Sequence, residues 1–352
     1  MKTTALLILS QLGITLLLSS VAAADFDPRP AARKIDSFLN AHLEGKDLAP
    51  NPTISDEQFL RRTYLTIIGR VPTIEEADQF LKATDPDKNS HLIEQLLAND
   101  AGYTAHHYQF WADLLRVQEG VHWTIEYKQW IKKQIAANTP YDDMVRQLVS
   151  GHGLVFDNPA AGYYIRDTGM PLDNMSNTVR IFLGTRLECA QCHDHPLADW
   201  TQREFYEMAS FFGATDVSHR DPRKVGNRIK THADLTKQDG ATVFSPSMHR
   251  IKDTGTNALI YPEDYAYDDV KPGSKVTPRL ISWSQADRKL SPYQVDLKNA
   301  HTLRDSFATW MTHHDNPRFA ANIANRLWKQ MFGIAVHEPI YDLDDLKSGS
   351  NP

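Results

Sequence analysis

Eight consecutive residues concentrate the reactive side chains of this protein: Cys189-Ala190-Gln191-Cys192-His193-Asp194-His195-Pro196. Both cysteines of the chain lie here, and a histidine directly follows the second. The C-x-x-C-H spacing is the one used for covalent c-type haem: two thiols add to the vinyl groups, and the histidine becomes the proximal iron ligand. On that reading Cys189, Cys192 and His193 bind the cofactor, with His193 on the iron. Arg186, a few residues upstream, is available to a propionate. The sixth iron position has no assigned ligand. Met208 on the next helix is one candidate, with Met170, Met175, Met248 and His152 as the others. An open position favours ligand binding or redox catalysis over simple electron transfer.

The same residues are compatible with other chemistries. Cys189, Cys192, His193 and His195 have the ligand types of tetrahedral zinc, although so compact a set strains a single loop. In an oxidising compartment the C-x-x-C pair can close as a disulfide. Such a bridge is either a structural staple or a redox pair, and the chain lacks the βαβ pattern that usually carries the redox version. Asp194 beside His195 is a further pairing. A carboxylate next to an imidazole fixes its tautomer and raises its basicity, so His195 reads as a second ligand or a general base oriented by Asp194. A loop hydrogen-bond network is the alternative use of both. Elsewhere, Arg166-Asp167 beside Tyr163-Tyr164-Ile165 reads as an anion site or a surface ion pair. Asp113 and Arg116 have the spacing of an intrahelical pair.

The elements that must hold this stretch are helical. Apolar residues recur at helical spacing from Ile35, Phe38 and Leu39 onward. Ser55 with Gln58, Thr73 with Glu76, and Thr201 with Glu204 have the capping-box pattern of helix starts. Further helices are expected over 103–116, 124–137, 141–150 and 174–183, with Gly69, Gly184 and Gly213 as stops. The fold class expected is mainly α: a multi-helix domain over 25–213, an irregular insert with minor β structure over 214–296, and a helical segment over 297–352. Lys271-Pro272-Gly273-Ser274 is a turn signal between short strands. Helical pattern returns at 301–313 and 317–332. The C-terminal segment is too short to close a second core, so it is expected to be truncated and to expose apolar surface.

Residues 1–24 have the layout of a secretory signal, with Lys2, an apolar run from Ala5 to Leu18, and Ala22-Ala23-Ala24 before Asp25. The expected location is periplasmic or secreted, with no stable membrane span after cleavage. The net charge of -6 and pI near 6.2 leave no basic footprint for nucleic acid.

Several blocks resemble the DUF1549 family, also called PSCyt2 and cytochrome-like. They are Phe59-Leu60-Arg61-Arg62-Thr63-Tyr64-Leu65, Gly69-Arg70-Val71-Pro72-Thr73, Phe110–Arg116, Pro140-Tyr141-Asp142, Asn158-Pro159-Ala160-Ala161, Cys189–Pro196 and Asp199-Trp200-Thr201-Gln202. The resemblance covers about 33–213. Asp315-Asn316-Pro317-Arg318-Phe319 and Asn325-Arg326-Leu327-Trp328 resemble the start of a DUF1553 (PSD1) domain, which runs much further in its family. The resemblance implies the cytochrome-like label and no particular substrate. It leaves the partner open between a redox partner and a small-molecule or glycan substrate, and it does not decide whether the protein is an enzyme.

Overall fold

The computed structural model describes residues 27–119, 124–219, 248–284 and 286–344, so the expected export signal lies outside the described residues. The chain forms two units, Met1–Thr53 and Ile54–Pro352. The first contributes a single described helix, α1 (Arg29–Gly45), none of whose residues is buried.

The second unit begins with α2 (Asp56–Ile68), α3 (Ile74–Lys82) and α4 (Lys88–Leu97). Capping boxes start α2 at Ser55/Gln58 and α3 at Thr73/Glu76, each satisfying two otherwise unpaired backbone donors. These three helices close a small core of Leu60, Tyr64, Ile68, Phe80, Leu92 and Leu96. The main core is built by α5 (Asp100–Leu114), α6 (Thr124–Ala136), α7 (Tyr141–Ser150), α8 (Gly162–Ile165), α9 (Pro171–Leu183), α10 (Gln202–Ala209), α11 (Leu303–Met311) and α12 (Phe319–Phe332). The fold is mainly α, with twelve α-helices among the described residues.

The minor β structure is a three-stranded antiparallel sheet in the order β1 (Gly153–Leu154), β3 (His249–Asp253), β2 (Thr215–His219). Ile251 is the middle of the register, opposite Gly153 on one side and Val217 on the other, and is 1% exposed. The expected turn forms at 271–274: Ser274 N–H donates to the Lys271 carbonyl (3.1 Å) beside an antiparallel bridge of Ile260 with Lys275. The segment after 213 is less of a linker than its composition suggests, because Ile251, Tyr261, Val276 and Ile281 belong to the main core.

The same holds for α11, and the expectation of exposed helices over 301–332 is corrected there. Leu303, Phe307, Trp310 and Met311 are buried, packed against α7 and the aromatic pair Phe211 and Phe212. Arg304, 1% exposed, ties α11 to its surroundings. Its Nε and Nη2 donate to the Asp253 carboxylate (3.0 and 2.9 Å), and its Nη1 donates to the Val149 and Gly151 carbonyls (3.1 and 2.8 Å). Within the described part of 301–344, the exposed large apolar side chains lie on α12 and after it, at Leu327, Met331, Phe332, Ile334, Val336 and Tyr341.

Two features place the Cys/His loop. Gly184 caps α9 at φ +61°, and a Cβ there would meet Asn322 Oδ1 and Leu343 Cγ at 2.8 Å. The backbone must therefore be glycine at that close approach. Asn322 Nδ2 in turn donates to the Ile181 carbonyl (2.7 Å), fixing α12 on α9. On the other side, Thr201 and Glu204 make the expected capping box that starts α10.

Candidate functional site

The Cys189–Pro196 loop leaves the end of α9, makes one 3-10 turn over Glu188–Gln191, and turns into α10. Cys189 and Cys192 are exposed free thiols. His193 is exposed too, and its Nδ1 lies 2.7 Å from the Asp194 carbonyl. A carbonyl only accepts, so Nδ1 carries the proton and Nε2 of the neutral ring keeps its lone pair for a ligand.

The neighbours of His193 are structural. The Asp194 carboxylate accepts the Gln202 N–H at the start of α10 (2.8 Å), and its own N–H donates to Tyr267 Oη (2.7 Å). The Asp194 carboxylate thus serves the start of α10, which is the loop hydrogen-bond network offered as the alternative to orienting His195. Gln202, 1% exposed, clamps the loop: its Nε2 donates to the Gln191 carbonyl (3.1 Å) and its Oε1 accepts the Ala266 N–H (3.0 Å). His195 N–H donates to the Trp200 carbonyl (2.7 Å), closing the turn through Pro196. Leu197 N–H donates to His195 Nδ1 (3.2 Å), which makes Nε2 the protonated nitrogen of the neutral ring.

His193 and His195 therefore have opposite tautomers and different surroundings. His195 lines a cavity of about 800 Å³, whereas Cys189, Cys192 and His193 do not. One wall is aromatic, Trp200 edge-on to Trp283 at 6.2 Å. Another comes from the C-terminal segment, as Arg318, His337, Asp342 and Asp344. Trp200 Nε1 donates to Asp344 Oδ2 (3.3 Å), and Arg318 Nη2 donates to the Asp344 backbone carbonyl (3.2 Å). Burial raises the Asp344 carboxyl above its ordinary range, opposed by the Trp200 hydrogen bond and the Arg318 charge. A histidine and a carboxyl group of raised pKa on one cavity are groups that could take and return a proton. Sequence reasoning missed Arg318, His337 and Asp344. The only signal was the Asp315–Phe319 block, which contains Arg318.

Other sequence candidates fall differently. Met208 is fully buried, and its sulfur accepts the Ile281 N–H (3.3 Å), so it is a core residue and not a distal ligand. Met175 is also fully buried, while Met170 is 45% exposed. Arg186 lies over the Tyr341 ring (5.5 Å) and near Glu188 (3.9 Å). Arg116 does not pair with Asp113. It reaches across to the buried Asp167, both Nη groups donating to that carboxylate, so Asp167 belongs to no surface pair with Arg166 either. Among the described residues, the group of three metal-ligating side chains converging within 4.8 Å is His313, His314 and Asp315. The Cys189, Cys192, His193 and His195 donors do not converge that closely.

Residues 34–217, more than half of the chain, match the PSCyt2 family model, described as a protein of unknown function (DUF1549). The chain belongs to that family. Residues 303–352 match PSD1, also described as a protein of unknown function (DUF1553). No curated protein and no solved structure matches the chain. The cavity beside His195 thus joins side chains from both matched segments. No helix among the described residues is long and apolar enough to cross a membrane.

Proposed function

We propose that this PSCyt2 protein is exported, carries one covalently attached c-type haem on Cys189, Cys192 and His193, and takes part in periplasmic redox chemistry. The observation that carries the reading is the His193 Nδ1 contact with the Asp194 carbonyl at 2.7 Å, beside two free, exposed thiols. That hydrogen bond orients the ring and leaves Nε2 as the nitrogen that would bind the iron. By chemical type the donors suit the group, two thiols that would form thioether bonds and one oriented imidazole. They lie on the exposed face of the loop and outside the cavity beside His195, so a haem would sit on that outer face. When bound, the haem supplies one-electron chemistry at its iron. The chain would supply the two sulfurs, the His193 imidazole and the turn held by Gln202. Its partner is a redox protein, or a small-molecule or glycan substrate for which the cavity beside His195 is the site.

The test is expression with a c-type maturation system. The purified protein should be red, keep its colour on denaturation and gain the mass of one haem. His193→Ala should shift the absorption bands by removing the axial ligand while the thioether mass remains. A colourless product carrying a Cys189–Cys192 disulfide, or one zinc per chain, would sink the haem reading in favour of a non-enzymatic binding or structural module.

A further inference from the structure

The chain is acidic, with a net charge of -6, yet three arginines line one cavity of about 320 Å³. They are Arg116 just past α5, Arg180 on α9 and Arg326 on α12, and the single carboxylate lining the cavity with them is Asp113. Phe110 and Tyr341 add aromatic surface. Two of the three guanidinium groups are matched. Arg116 is bound by Asp167, and Arg180 lies 3.2 Å from Glu188 with Nη2 donating to Asn177 Oδ1 (2.8 Å).

Arg326 is not matched. Among the described residues its hydrogen bonding is one long contact, Nη2 to the Arg180 carbonyl (3.4 Å), and its buried Nε has no partner. Asp113 is exposed and makes no ion pair with it. Arg326 is partly buried, its Nε fully so, and a partly desolvated cation is stabilised by a counter-charge. A lysine in this position could neutralise itself; a guanidinium remains charged. Burial and the nearby Arg180 charge both act against the Arg326 cation, as its lowered pKa reflects. The missing component is negative charge, and the planar fork of a guanidinium matches a pair of oxygens on one atom. The cavity is at the small end of ligand pockets, suited to one anionic group instead of a large ligand.

We propose that Arg326, with Arg180 and Arg116, forms an oxyanion site between α5, α9 and α12 that takes one carboxylate, sulfate or phosphate group. Two of its arginines lie in the PSCyt2 match and the third in the PSD1 match, so a bound anion ties the two segments together. The proposal is independent of the haem reading, because none of these residues belongs to the Cys189–Pro196 loop.

Sodium sulfate, phosphate and acetate, each against sodium chloride at matched ionic strength, should be titrated into the full chain by calorimetry and followed by thermal unfolding. At least one should bind saturably at one site per chain and raise Tm. The order among the three then identifies the preferred oxyanion. Arg326→Gln should weaken binding at least about tenfold, and Arg326→Lys should recover part of it. If Arg326→Gln does not fold, the partly exposed Arg180→Gln serves, with the same expected loss. His193→Ala should bind as wild type does, which separates failure here from failure of the haem reading. The proposal is overturned if no oxyanion binds saturably, or if wild type and the arginine variants respond alike.

Discussion

Arg304 shows how much of this protein rests on single buried polar residues. It is 1% exposed and donates to one carboxylate and two carbonyls on β3 and at the end of α7. Arg304→Ala would remove the charged partner of Asp253, leaving it the Thr215 hydroxyl, and both carbonyl contacts, so unfolding stability should fall by about 3 kcal/mol, measured as a shift in the urea midpoint. A loss below about 1 kcal/mol would mean that water replaces the guanidinium without cost. Gln202 has a comparable role in the candidate site. Gln202→Leu removes the donor to Gln191 and the acceptor for Ala266, so the loop should open to proteases while the rest of the molecule stays folded. Unchanged cleavage in that loop would show that the clamp is dispensable. Residues of this kind are hard to read from sequence because their partners are remote. Asp113 stands three residues before Arg116 and is the natural local partner, but Arg116 adopts φ +54°, leaves the helix and meets Asp167 instead.

At the scale of elements, local signals were strong wherever the physics is local. All three capping boxes form where the Ser/Thr-x-x-Glu/Gln pattern places them. One of them is reinforced: Arg70 donates through two nitrogens to Glu76 (2.7 Å each) and lies over the Tyr64 ring at 5.1 Å. The Arg70 hydrogen bonds hold the Glu76 carboxyl at about 2, below its ordinary 4.5. Its pKa is lower folded than unfolded, so its contribution is complete above about pH 4.5 and disappears as pH falls towards about 2. The stability difference between wild type and Glu76→Gln should therefore be present at neutral pH and close on acidification, as followed by thermal melts across that range. A gap that stays constant with pH would remove Glu76 from acid unfolding. Gly184 marks the opposite case. Its stop signal is legible, but the close approach of Asn322 and Leu343 that forbids a side chain there is set by α12, far along the chain.

For the whole molecule, the decisive fact is that the main core does not respect the boundaries suggested by composition. Residues from β3, from the turns around Tyr261 and Ile281, and from α11 pack into one core with α7, α9 and α10. Hydrogen exchange should accordingly find α11 as protected as α7, while amides at the far end of α12, near Met331 and Phe332, exchange faster. Equal, fast exchange across α11 and α12 would restore the view of 301–332 as one loosely attached segment.

Chain order alone determined the mainly α class, the three capped helix starts and the glycine stops at Gly69 and Gly184, and it brought both cysteines and two histidines together in Cys189–Pro196. Each depends on neighbours within a turn or two: capping residues, apolar periodicity, or the reach between two thiols and the next imidazole. The expected stop at Gly213 is replaced by an end at Ala209. Tertiary structure decided the rest. It committed Asp194 to capping α10, put Met208 in the core, and gave His195 a cavity completed by Arg318, His337 and Asp344. Those outcomes depend on which distant segments share space, and burial and long-range pairing settle that only once the chain has folded.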